Sequence, residues 1–377
     1  MPPAVKEKDA KKGKKVGPYR FLDELGKGGM AQVYRGLHET LEREVAIKEL
    51  LPRAANDKDT VSRFRREALA LATFRHQNIV TVYDLVEKSG AQFLILEYVD
   101  GPTLLDLLKQ GPLPPIVAAV VAEQLASALE HAHFHRIIHR DLKPGNVMLT
   151  GSGEVKLMDF GIARDEDLGS ITKTGMAVGT PSYMSPEQVT GGALDHRTDV
   201  YSLGAVLYEC LSGSRAFSGQ SAGEIFARVR DGRFKPLAKI APEVPSALAR
   251  GVKRAMQTRP AQRYSSAAEM RRELETFIAG QLRTSGANLL MAFLHSRGKL
   301  TEKAALEHVT TAELEWMKRL DAKTASSVIA IEPIEPETPP RRSGVRWLVG
   351  GMVLATAGAL AWLHPLWWPS VLPLLNR

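Results

Sequence analysis

Two short stretches concentrate the residues capable of chemistry: His139-Arg140-Asp141-Leu142-Lys143-Pro144-Gly145-Asn146, and then Asp159-Phe160-Gly161. A carboxylate at Asp141 can orient a hydroxyl and accept its proton, while Asn146 and Asp159 offer the hard oxygen ligands that Mg²⁺ takes. Lys143 adds a cation beside the reacting group. Phosphoryl transfer calls for this set, because it depends on positioning and charge neutralisation more than on covalent catalysis.

Upstream, Gly26-Lys27-Gly28-Gly29-Met30-Ala31-Gln32-Val33 lies between two strand-like runs, where its backbone can turn tightly and present N–H groups to phosphate oxygens. Taken alone, it reads more readily as a glycine-rich hairpin turn. No helix opens directly after it, as dinucleotide binding requires, and no GK[ST] ending follows as in a P-loop. Val45-Ala46-Ile47-Lys48 then puts a lysine at the end of an apolar strand, where its ammonium can clamp the α- and β-phosphates of a nucleotide. Glu67, on a helix that also presents Phe64 and Leu71, can reach across to hold it. Each of these charges alone would be a solvated surface residue; their order along the chain joins them. His131, His133 and His135 fall at i, i+2 spacing, which points them to different faces of a helix and suits a structural role rather than one metal ion.

These groups need a frame. Residues 19–99 read mainly as short strands, Tyr19–Leu25, Ala31–Leu37, Glu44–Leu50, Ile79–Glu87 and Phe93–Tyr98. One helix interrupts them, with Phe64, Ala68, Leu71 and Ala72 at helical spacing between an Asp59–Thr60 start and a His76–Asn78 stop. From Leu104 onward helical patterns dominate, around 116–135, 199–212, 222–231, 245–257 and 266–279. Strands followed by helices predict an α+β protein with two unequal lobes, 19–99 and 100–279, joined near Val99–Gly101. Helical periodicity continues through 280–323, as a cap on the preceding domain or a small docking unit. Residues 324–346, rich in Pro and Glu, read as an extended linker.

The ordered motifs resemble the protein-kinase family, specifically the eukaryotic-like Ser/Thr kinases of bacteria, over about 19–279. The resemblance implies a bilobal fold, with a small antiparallel-sheet N-lobe over a mainly helical C-lobe and MgATP (or its Mn²⁺ form) in the cleft. It assigns Leu25, the glycine-rich stretch from Gly26 to Val33, Ala46, Lys48 and Met148 to nucleotide binding, Leu96 to the gatekeeper, and Glu97–Val99 to the adenine-binding hinge. It makes Asp141 the catalytic base, with Lys143, Lys48 and Glu67 in support and Asn146 and Asp159 on the metal. Asp199 resembles the brace of the catalytic loop, and Glu187 and Arg263 a buried ion pair. Lys143 together with Gly179-Thr180-Pro181-Ser182-Tyr183-Met184-Ser185-Pro186-Glu187 matches the Ser/Thr branch, so protein Ser/Thr hydroxyls are the expected substrates. Thr172 and Thr174 align with threonines that related kinases phosphorylate on themselves, and Arg140 offers a cation to one such phosphate. Ala31 stands where the family pattern has a third glycine. It leaves a nucleotide-binding scaffold without transfer activity, a pseudokinase, as the alternative.

The flanks differ in kind. Of the formal net charge of +8, about half lies in the first seventeen residues, where six lysines face Glu7 and Asp9; residues 1–18 read as a basic disordered tail rather than a lipid-surface contact, and no nucleic-acid partner is expected. A single cysteine among 377 residues, Cys210, excludes an intramolecular disulfide and suits a reducing compartment. From Trp347 to Leu363 no charge appears, and a helix of about 25 Å, extended by Trp367 and Trp368 in the headgroup layer, could cross a bilayer over 347–368. Arg341, Arg342 and Arg346 precede it, placing 1–346 in the cytoplasm of a bacterial inner-membrane protein with 369–377 beyond. Gly351 and Ala355 could let two such spans pack as a homodimer.

Overall fold

Alternating buried and exposed side chains along the first hundred residues build one six-stranded antiparallel sheet. Its strands are β1 (Lys15–Val16), β2 (Tyr19–Lys27), β3 (Ala31–His38), β4 (Arg43–Leu50), β5 (Val82–Lys88) and β6 (Ala91–Glu97), in the order β1-β2-β3-β4-β6-β5. Phe21, Val45, Ile47, Phe93 and Ile95 bury one face, with Phe21 edge-on to Tyr34 and Phe93. The computed structural model describes residues 13–29, 31–55, 57–160, 181–282 and 284–327.

Two short helices, α1 (Pro52–Ala55) and α2 (Lys58–Ala72), join β4 to β5. The Asp57 side chain accepts from Asp59 N and caps α2 at its start. The strand expected from Ile79 begins only at Val82, because the preceding backbone pairs elsewhere. Val80 N donates to Leu157 O, and Leu157 N donates to Asn78 O. Those bonds tie the sheet lobe to the helical one.

The helical lobe holds α3 (Leu104–Leu108), α4 (Pro115–Phe134), the hairpin β7 (Val147–Leu149) and β8 (Val155–Leu157), α5 (Pro186–Thr190), α6 (Arg197–Ser212), α7 (Ala222–Asp231), α8 (Leu237–Ile240), α9 (Ser246–Ala255) and α10 (Ala267–Ala279). Helix α6 is buried from Thr198 to Ser212 and forms the centre of the lobe. There Gly204 lets it approach α9: an added Cβ would stand 2.7 Å from Ala255 Cβ. Where the chain leaves the sheet lobe, Gly101 meets β7 so closely that a Cβ would lie 1.8 Å from Leu149 O.

Three further helices follow, α11 (Gly286–Ser296), α12 (Glu302–Leu306) and α13 (Thr311–Ser327). Leu289 to Leu294 are buried, and Arg297 pairs with Asp321 while donating to Pro112 O at 2.6 Å. The extension is therefore seated on the α3–α4 connection. Two expected boundaries move. Order begins before residue 19, because Val16 is buried as β1 pairs with Tyr19 and Arg20; helix α13 runs past 324, because Thr324 is buried and its hydroxyl donates to Leu320 O.

Candidate active site

Burial fixes the loop that carries Asp141. Asp199, in the first turn of α6 and fully buried, accepts hydrogen bonds from the backbone N–H of His139 (2.8 Å) and Arg140 (2.9 Å) and from His133 Nε2 (2.8 Å). Burial alone would raise its pKa, but these donors, His133 foremost, hold its carboxyl below the ordinary value. Arg140 occupies the left-handed region at φ 65°, a conformation costing a non-glycine residue of order 1 kcal/mol or more, and Asp199 offsets that strain. His133 is thus structural. His139, also buried, donates from Nε2 to Met158 O (3.0 Å) and accepts at Nδ1 from Asp141 N (3.3 Å), and burial pushes its pKa down. A neutral imidazole so links Asp141 to the segment ahead of Asp159.

Asp141 Oδ2 accepts from Lys143 Nζ at 2.7 Å and from Asn146 Nδ2 at 3.1 Å. Asn146 Nδ2 also reaches Asp141 O at 2.9 Å, committing the amide nitrogen and reserving the amide oxygen for a cation. Asp159, at φ 51°, accepts at Oδ1 from Lys48 Nζ at 2.6 Å, and Lys48 is the main reason its carboxyl sits below the ordinary range. Together Asn146 and Asp159 make a two-oxygen donor set, which fits Mg²⁺ because that ion takes its remaining ligands from water and substrate phosphates. Among the described residues no cluster of three or more His, Cys, Asp or Glu could hold a metal without such help. The side chain of Glu67, expected to hold Lys48, lies outside the described residues, as do Met30, Thr172 and Thr174.

A cleft of about 460 Å³ runs between the lobes. Leu25, Gly26, Val33, Ala46, Lys48, Leu96, Glu97, Val99 and Met148, which the resemblance assigns to nucleotide binding, line it. Lys27, Gly28, Gly29, Ala31 and Gln32 do not. They turn beyond the cleft, with Gly28 N donating to Ala31 O at 2.8 Å and Ala31 paired opposite Leu50 as the first residue of β3, where extended backbone suits alanine as well as glycine. Sequence reading missed Val80, Leu94, Thr103 and Leu157 on the walls. For Leu94 the signal existed, since it lies two positions before Leu96 and faces the same side of β6. Val80 and Leu157 reach the cleft only through the pairing between lobes.

Further from the cleft, Arg263 and Glu187 form a bidentate pair at 2.7 Å for each bond, and Thr198 Oγ1 also donates to Glu187. Burial would raise the Glu187 pKa, but Arg263 brings it below the ordinary value.

Residues 19–274 match the family model described as protein kinase domain. The chain is 39% identical over 266 residues to serine/threonine-protein kinase PrkC of Bacillus subtilis, covering 70% of this chain and 41% of that protein. It is 41% identical over 273 residues to serine/threonine-protein kinase PknB of Mycobacterium leprae, covering 70% and 43%, and 39% identical over 258 residues to PknL of Mycobacterium tuberculosis, covering 68% and 65%. The chain therefore spans less than two thirds of these relatives. Among solved structures, the PknI kinase domain of Mycobacterium tuberculosis, in a mutant form, aligns with a TM-score of 0.57 at 26% identity, covering 70% of this chain and 97% of that one.

Proposed function

Because the chain belongs to the protein kinase family, we propose that it transfers the γ-phosphate of ATP to serine and threonine hydroxyls of proteins. One observation carries this reading: the Asp141 carboxylate is held by Lys143 and Asn146 in a loop that Asp199 and His139 anchor beside the Lys48–Asp159 pair. Adenine would lie against Ala46 and Leu96, with the backbone of Glu97–Val99 for its polar edge, and Lys48 would hold the phosphates. Asp141 orients the incoming hydroxyl and takes its proton, while Lys143 offsets charge on the phosphoryl group in flight. A divalent ion held by Asn146 and Asp159 would supply further charge neutralisation at the phosphates.

The same reading gives the activation segment its role. Phosphate placed on Thr172 or Thr174 by the protein itself would be held by Arg140, ordering the segment for substrate. Residues 347–368 anchor the protein in the inner membrane with its catalytic region in the cytoplasm; they lie outside the described residues, among which no helix is long and apolar enough to cross a membrane.

The test is transfer of labelled γ-phosphate from MgATP by the 377-residue chain in detergent, beside Asp141→Asn, with sites mapped by mass spectrometry. Incorporation lost in the variant and found at Thr172 or Thr174 is the expected result. Equal incorporation in both proteins, or nucleotide binding with no transfer, would overturn it, the latter in favour of a nucleotide-binding scaffold.

A further inference from the structure

Behind the cleft, a run of aromatic rings connects solvent to Phe160. The Phe74 ring, just past α2, lies 5.5 Å from Phe160, 5.4 Å from His131 and 5.5 Å from His135. His131 is the middle imidazole of three, 5.0 Å from His76 and 4.8 Å from His135. Phe160 in turn packs on His139 at 4.5 Å and directly follows Asp159. Phe74 and Phe160 are buried, His76 and His131 half-buried and His135 exposed, so protons from solvent have a route to the stack.

Among the described residues, the hydrogen bonds and neighbouring charges at His76 and His131 disfavour a proton on either ring. His76 Nδ1 accepts from Asn78 N at 3.1 Å and its Nε2 lies 3.2 Å from Ser127 Oγ, so a proton on Nδ1 would break the first bond. Facing His76 from the other packed elements are His131 of α4, Arg271 of α10 and Lys156 of β8, all cations or potential cations. The acids on that side, Glu123 and Glu130 of α4 and Glu275 of α10, lie 3.0–4.0 Å from Arg271. His131 Nε2 is buried with no hydrogen-bond partner among the described residues. Burial, then neighbouring positive charge, lowers the pKa of both His76 and His131. A group lowered in this way is neutral in the folded protein near pH 7, and as pH falls below the ordinary imidazole value of about 6.5 the native arrangement loses stability.

We propose that the His76–His131–His135 stack is an acid-sensing element: proton binding forces the rings apart, unseats Phe74 from Phe160 and displaces Asp159, switching off phosphoryl transfer. The inference rests on the kinase reading for its output, though not for its trigger. Like charges about 5 Å apart in a half-buried site repel strongly enough to separate the rings, and packed aromatic cores shift between discrete arrangements rather than yielding gradually.

Two measurements on the 377-residue chain separate trigger from output. The pH profile of kcat is compared between wild type, His131→Phe, which keeps a ring without a titrating nitrogen, and His131→Gln. In wild type kcat falls by more than about tenfold, approaching a hundredfold, for each unit of pH below the transition, as two mutually repelling protons require; in the variants this limb moves at least about one unit lower. In parallel, NMR of ¹³C-labelled histidine and phenylalanine follows the rings without turnover. Phe160 resonances that shift together with His131 in wild type, and hold still over that range in the variants, are expected. Identical acid limbs in all three proteins, or a Phe160 that stays fixed while the histidines titrate, would overturn the proposal. Absence of transfer at about pH 7.5 would count against the kinase reading alone, and the ring titration would still decide the stack.

Discussion

Glu187 and Arg263 stand 76 positions apart in sequence and meet in a bidentate ion pair, with the guanidinium fully buried and the carboxylate nearly so. Arg263 also donates to three backbone carbonyls, of Arg197, Gln257 and Thr258, so it joins the start of α6 to the segment before α10. Removing one partner strands the other in a low-dielectric site. Arg263→Ala is expected to lose about 3–5 kcal/mol of unfolding free energy in urea titration. A loss within about 1 kcal/mol would show that the pair contributes little.

The same pair has a signature in pH. The Glu187 pKa is below 4.5 in the folded protein, so its stabilisation is complete above pH about 4.5 and disappears as pH falls through the lowered value. The stability gap between wild type and Glu187→Gln should therefore narrow as pH falls below about 4.5. A gap constant across that range would contradict the assignment.

Asp199→Asn replaces two acceptor oxygens with one, so it cannot serve His139 N, Arg140 N and His133 together. The strained backbone at Arg140 then relaxes and Asp141 moves. We expect kcat to drop about 10²-fold, in line with misplacement of a catalytic group by about 1 Å, while affinity for ADP changes little because the cleft walls are untouched. Equal losses in kcat and ADP affinity would point to general unfolding.

Glycine is required at one end of the hinge and optional at a nearby loop. In Gly101→Ala the new Cβ would fall 1.8 Å from Leu149 O, which only a backbone shift can relieve, whereas in Gly145→Ala the closest atom is Leu105 Cδ2 at 3.9 Å. The first change should cost more than about 2 kcal/mol and the second within about 0.5 kcal/mol on thermal unfolding. Similar melting temperatures for the two would refute the close approach.

Arg297 carries the extension's link to the catalytic lobe, bonding Asp321 with two nitrogens and reaching Leu107 O and Pro112 O. Arg297→Ala should speed amide hydrogen exchange in α11 and α13 and also in α3, whose Leu107 carbonyl it holds. If exchange in α3 is unchanged, the extension is a passive cap.

Much of the fold is legible locally. Helix α2 begins within two residues of its expected start because an acidic cap followed by Phe64, Ala68 and Leu71 at helical spacing has few other solutions. The strands of β2 to β4 follow from alternation. A strand starting at Ile79 is too long, since an apolar run does not reveal that its first backbone groups bond β8 rather than β6. The leader and linker boundaries differ for a related reason: Val16 and Thr324 are buried by partners that composition cannot supply.

Which chemistry is present follows from the residues alone, because Asp141, Lys143, Asn146 and Asp159 lie in stretches short enough for spacing to reveal their identities and order. How they are held is a matter of three-dimensional packing. Lys48 meets Asp159 across 111 positions, Asp199 braces a loop 60 residues before it, and Phe74 connects three histidines to Phe160. Such contacts depend on how α2, α4, α6 and β8 come together, and that is set by the summed burial of many residues rather than by any local pattern.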